Sequence, residues 1–72
     1  MIRMYAAAMV ARDLGITTDE ARELLAMAAE ELRVTEGTVR RSVLNRTLTA
    51  AQVQELAERR RERRKKLEWY YR

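Results

Sequence analysis

The sequence predicts an all-α fold, a three-helix bundle followed by a long basic fourth helix, on three observations. First, its 72 residues include no Pro, no Phe and only 2 Gly, so little in the chain interrupts helices and little favours strands. Second, apolar residues recur at helical rather than alternating spacing along most of the chain. Third, threonines stand where helices should open: Thr17 and Thr49 each have a Glu or Gln three residues on, and Thr35 precedes another apolar repeat.

The first helix is expected from about residue 2 to Leu14, because Ile2, Ala6, Val10 and Leu14 repeat every four residues with Met9 beside them. Gly15 should close it in a left-handed conformation, with Ile16 making an apolar contact as the chain turns. Met4, Tyr5 and Met9 at this spacing read as packing residues rather than as a ligand site. Thr17 and Glu20 form a capping box for the second helix, about 18–32, whose apolar stripe is Ala21, Leu24, Leu25, Ala28 and Leu32. Arg22, Glu23, Glu30 and Glu31 fall away from the centre of that stripe.

After a short break at Val34 and Thr35, a third helix over about 36–46 buries Val39 and Val43 and leaves Arg40, Arg41 and Asn45 pointing outward. Thr47 and Leu48 break the chain again. Thr49 with Gln52 then starts a fourth helix at Ala50, and Val53, Leu56 and Ala57 dock its beginning on the core. Residues 58–66 carry no apolar side chain and should project as a solvated helix, which divides the chain into a core of 1–57 and an extension of 58–72. Val53, Leu56, Arg60, Arg63, Leu67 and Tyr70 do alternate by three and four. Arginines in such a seam argue against a strong homodimer and would need an acidic partner helix.

Composition narrows the function. A chain this short buries a small core, so its stability is marginal and a homodimer or other partner contact would add to it. There is no Cys and no His, which removes disulfides, thiolate or imidazole metal sites and the commonest general base. No pair of carboxylates stands apart from the solvated helix faces, so no catalytic residue, metal or cofactor is expected. The apolar N-terminal run is interrupted by Arg3 and is too short to span a bilayer, which leads to the expectation of a cytoplasmic protein with no membrane partner.

Charge is the stronger clue. Residues 1–57 hold 7 basic and 8 acidic side chains, net −1, whereas 58–72 hold 8 basic and 3 acidic, net +5. Such asymmetry fits a segment that meets a polyanion or an acidic protein. Arg59, Arg60, Arg61, Arg63, Arg64, Lys65 and Lys66 could neutralise several phosphates with release of counterions, provided that the chain's own acids do not occupy them. Trp69, Tyr70 and Tyr71 follow as partner-binding candidates. They could cover the bundle, stack on unpaired bases, anchor in a partner's groove or lie at a membrane surface. Packing or a protein contact is preferred, and the membrane is disfavoured because the basic segment lacks an apolar face.

Ala29, Leu32, Val34, Thr35, Thr38, Val39, Arg40, Arg41 and Val43 resemble the helix-turn-helix of bacterial transcription regulators, in particular the GntR-like pattern, over about residues 28–44. The resemblance implies a DNA-binding protein of transcription control whose third helix enters the major groove. By this resemblance Glu36, Gly37, Thr38, Arg40 and Arg41 would face nucleic acid, with arginine suited to guanine edges or phosphate, and the outward-pointing Asn45 is a further candidate contact. Arg33 stands where such motifs usually have glycine, and a left-handed arginine would cost about 1 kcal/mol. The second helix is also nearly twice the usual length for the motif. A second set of residues, Ala6, Met9, Val10, Gly15, Glu20, Ala21, Leu24, Leu25, Ala28, Val34, Val39 and Val43, is similar to the ANTAR domain of bacterial antiterminators. That similarity implies RNA stem-loops as ligands and dimerisation, and it departs from the family at Arg40, where alanine is usual. DNA is the leading ligand, RNA the runner-up, and an adaptor docking its basic helix on an acidic protein the reading from another class.

Overall fold

The computed structural model describes residues 5–70. Among them are four α-helices and no strands: α1 (Ala6–Leu14), α2 (Thr18–Leu32), α3 (Glu36–Leu44) and α4 (Ala50–Tyr70). The fold is an all-α compact helical bundle. Each predicted cap is present. Thr17 Oγ1 accepts from the Glu20 N–H at 3.1 Å while Glu20 Oε1 accepts from the Thr17 N–H at 3.2 Å. Thr49 and Gln52 make the same reciprocal pair at 3.1 and 2.8 Å, and Thr35 Oγ1 accepts from the Thr38 N–H at 3.2 Å.

The first three helices close in one way. Gly15, Arg33 and Arg46 all take the left-handed conformation, at φ of 66°, 58° and 64°. In each case the left-handed residue and the one after it donate back to the last turn: Gly15 to Arg12 and Ile16 to Ala11, Arg33 to Glu30 and Val34 to Ala29, Arg46 to Val43 and Thr47 to Ser42. This is the Schellman closure, which satisfies carbonyls that a helix end leaves free. The strain expected at Arg33 is therefore present, and Arg46 carries it too, at a position no residue pattern marks.

The core is small and aliphatic. Ala6, Ala7, Val10 and Ala11 of α1, Ala21, Leu24, Leu25, Ala28 and Ala29 of α2, Val39 and Val43 of α3, and Ala50, Val53 and Ala57 of α4 are all buried. Met9, Leu14, Ile16, Met27, Leu48 and Leu56 pack around them. Alanine at so many helix contacts lets the backbones approach closely. Only Leu24 and Leu25 among the buried residues exceed valine in size, and of the two only Leu25 is fully enclosed.

Four expectations need correction. Tyr5 is extended (φ −87°, ψ 140°) and offers no side-chain cap, so α1 begins at Ala6 rather than near residue 2; Ile2 and Met4 lie outside the described residues. Tyr5 itself is exposed rather than packed. Helix α3 ends at Leu44, two residues early, because the left-handed Arg46 ends it. Leu32 is exposed instead of completing the α2 stripe, and Ala29 is buried in its place.

The largest difference concerns α4. It runs unbroken for 21 residues from Ala50, past Ala57 and through the basic run, to Tyr70, and α2 and α4 form the principal helix pairing of the bundle. Its basic part does not simply project into solvent. Arg60 is half-buried, and Arg60, Arg63 and Arg64 reach acids on α2. At about 1.5 Å per residue a helix of this length spans roughly 30 Å, more than half of the molecule's 51 Å long axis.

Candidate nucleic-acid interface

Two surfaces carry the predicted residues, and the fold treats them differently. The first is α3. Successive residues turn by 100°, so with Val39 and Val43 inward its outer face is built from Gly37, Thr38, Arg41 and Leu44, with Arg40 on the flank. Arg41 is exposed and joins no ion pair among the described residues. Arg40 is half-buried, with Nη2 3.9 Å from Glu36 Oε2, a loose contact at one-turn spacing. Leu44, absent from the expected site, is exposed on the same face.

Thr38 and Asn45 are at least partly engaged in holding the helix ends. The Thr38 hydroxyl lies 2.9 Å from that of Thr35 and shares a hydrogen bond with it. Asn45 Oδ1 accepts from the Thr47 N–H at 3.0 Å and from the Thr47 hydroxyl, which leaves only its amide nitrogen for another partner. Arg33 and Arg46, neither of them an expected contact, bracket α3 at its two ends. Both are exposed, and neither joins an ion pair among the described residues.

The second surface is the basic part of α4, where four of the seven predicted cations meet the protein's own acids. Arg60 Nε donates to Glu30 Oε2 at 2.9 Å and Arg64 Nη2 donates to the same oxygen at 2.7 Å. The Arg60 hydrogen bond, with Arg64 beside it, lowers the Glu30 carboxyl below its ordinary range, against a smaller upward push from desolvation. Arg63 Nη1 lies 3.3 Å from Glu31 Oε1, and Arg59 pairs with Glu55 at 3.3 Å along its own helix. Glu31 is the unexpected member. Its side chain is only 6% exposed, and its Oε1 has no aligned hydrogen bond, so Arg63 is its charge partner.

These pairs overturn the picture of a solvated tail whose guanidinium groups all await phosphate. The signal that could have found them was the 3/4 alternation of α4, which puts Arg60 and Arg63 in a seam that needs an acidic helix. α2 is that helix, with Glu30 and Glu31 adjacent near its end. Arg61, Lys65 and Lys66 join no ion pair among the described residues. Trp69 and Tyr70 do not fold back as a cover: they are 80% and 85% exposed. Tyr71 lies outside the described residues.

A groove of about 590 Å³ runs between α2 and α4, floored by Ala26 and Met27 and edged by Glu23, Glu30, Arg61 and Lys65. Its edges mix both signs of charge and give no uniform field for an anion. No group of acids among the described residues is arranged to hold a metal ion, and no helix is long and apolar enough to cross a membrane. In comparisons with known proteins, no family model matches the chain, and there is no significant match to a curated protein or to a solved structure.

Proposed function

We propose that the chain is a small nucleic-acid-binding regulator of transcription that lays the outer face of α3 against duplex DNA. The observation that carries the reading is the ring of uncommitted arginines about that helix: Arg33 before it, Arg41 on it and Arg46 after it. Arg33 and Arg46 also occupy left-handed positions, where glycine would save about 1–2 kcal/mol each. A chain that keeps arginine there keeps a positive charge at a conformational cost, and such outliers concentrate at functional positions. Arg41 would reach base edges or phosphate, Leu44 would offer apolar contact to a thymine methyl, and Arg33 and Arg46 would hold the backbone on either side.

The reading assigns most of the phosphate contact to α3 and its flanks rather than to the arginines of α4. Fluorescence anisotropy with labelled mixed-sequence duplex DNA, and with a stem-loop RNA as comparison, tests it at two salt concentrations. Arg41→Ala should weaken duplex binding at least fivefold. Removing the charges of Arg33 and Arg46 together should reduce the salt slope by about 1.8, at 0.9 per phosphate contact. Duplex affinity unchanged in all three substitutions would overturn the assignment to α3, and tighter binding of the stem-loop would move the ligand to RNA.

A further inference from the structure

The last turns of α4 set Lys65 four residues before Trp69 and Lys66 four residues before Tyr70, so each lysine stands one turn from an aromatic ring. On the helical wheel Trp69 is turned away from Arg60 and Arg64, which point at α2; Lys66 and Lys65, the latter also edging the α2–α4 groove, flank it, and Tyr70 lies on the side of Arg63. The two rings and the two lysines line one shallow concavity of about 440 Å³. The lysines join no ion pair among the described residues, whereas Arg59, Arg60, Arg63 and Arg64 each face an acid. An incoming anion meets no internal competitor at Lys65 and Lys66.

We propose that this end of α4 binds single-stranded nucleic acid, with unpaired bases stacked on Trp69 and Tyr70 and the adjoining phosphates held by Lys65 and Lys66. A flat ring standing out from a helix can lie on the face of a base only when that face is not already covered by a neighbour, as it is inside a duplex. Two rings one turn beyond two lysines set stacking surfaces beside cations, as bases lie beside phosphates in a single strand. A membrane surface fits less well. No apolar stripe runs back along α4 from Trp69 to lie in a bilayer interface, and Glu62, Glu58 and Glu55 on that side confine any anion to the last turns of the helix. The inference rests on the reading of the chain as a nucleic-acid-binding protein, but it uses a surface separate from α3.

Trp69 is the only tryptophan, so its emission reports this site alone. Titrating the full chain with a short oligothymidylate should quench that emission to saturation, less tightly at higher salt. With a labelled oligothymidylate, Trp69→Ala should lose about 5- to 140-fold in affinity, the range for one stacked base. Trp69→Phe should keep most of it. Lys65→Ala combined with Lys66→Ala should lower the salt slope by about 1.4, at 0.7 per phosphate on a single strand. The proposal is overturned if oligothymidylate leaves the emission unchanged, if Trp69→Ala binds it as well as the parent chain, or if polyglutamate quenches equally, which would mark an acidic protein partner. A response to phosphatidylserine vesicles with none to oligothymidylate would likewise overturn it in favour of a membrane. Arg41→Ala separates the two sites: it should weaken duplex binding and leave quenching by the single strand intact. Quenching without any duplex binding would sink the α3 reading alone, and duplex binding without quenching would sink only this one.

Discussion

Gly37 is the residue at which the fold and the proposed DNA contact make opposite demands. It lies in the first turn of α3 on the outer face, and a Cβ built there meets only the Thr35 hydroxyl, at an easy 3.9 Å. Nothing in the bundle requires glycine, which costs roughly 0.5–1 kcal/mol relative to alanine in a helix. Gly37→Ala should therefore raise the thermal midpoint by a few degrees. If α3 sits flush against DNA, the same substitution should weaken duplex binding, and anisotropy beside a melting curve would show both effects in one variant. Arg33→Gly is its counterpart: relief of the left-handed strain should stabilise the chain by about 1 kcal/mol while removing one phosphate contact. At this scale the sequence was informative where a residue's role is local. The caps Thr17, Thr35 and Thr49 and the glycine closure at Gly15 follow from spacing alone. Spacing alone puts Asn45 on an exposed side of a continuing helix; that it is instead the cap whose oxygen Thr47 takes up depends on where the helix stops, which Arg46 decides and no repeat announces.

Among the elements, α4 departs most from what its composition suggests. A run without apolar residues signals solvent only if nothing across from it carries the opposite charge, and the arrival of Glu30 and Glu31 opposite Arg60, Arg63 and Arg64 is a fact of tertiary packing. The pairing makes separable predictions. Arg63→Ala leaves the Glu31 carboxylate enclosed without its charge partner and should destabilise by about 1–3 kcal/mol. The value falls short of the roughly 3–5 kcal/mol typical of breaking a fully buried pair because Arg63 is 61% exposed. Adding Glu31→Met to Arg63→Ala should recover most of that loss, since a well-packed apolar side chain substitutes readily for an enclosed ion pair. Urea unfolding of the single and double variants reads both. Glu30 predicts a pH dependence. Its folded-state carboxyl ionises below its unfolded value, so the contribution is complete above the ordinary carboxylate range and disappears as pH falls through the folded value. Between about pH 6 and about pH 3 the parent chain should accordingly lose more stability than Glu30→Gln does, in melts followed by far-UV circular dichroism.

For the whole molecule the governing fact is how little the core contains. Packing is spread over alanine and valine from all four helices, so each large residue matters. Leu25→Ala, which empties the site of a fully enclosed leucine, should cost about 2–5 kcal/mol, enough to unfold a domain of this size at ambient temperature. The apolar positions of α2 and of the start of α4 were legible because their spacing is helical and their caps are unambiguous. The alignment of α2 with the far part of α4 was legible only as arginines in a 3/4 repeat that called for an acidic helix, because charge pairs leave no periodic apolar trace of which helix that is.

One consequence lies in the optical properties of this protein. Tyr5, Trp69 and Tyr70 are the aromatic side chains among the described residues, and all three face water. Among the described residues no ring is held in the asymmetric interior that gives native proteins their near-ultraviolet dichroism. The folded chain should then show a strong helical far-ultraviolet spectrum with an almost blank near-ultraviolet one, the pair of traits by which a molten globule is commonly diagnosed. A sharp urea transition with well-dispersed methyl resonances would distinguish tight aliphatic packing from such a state, and would warn against judging the integrity of this fold from its chromophores.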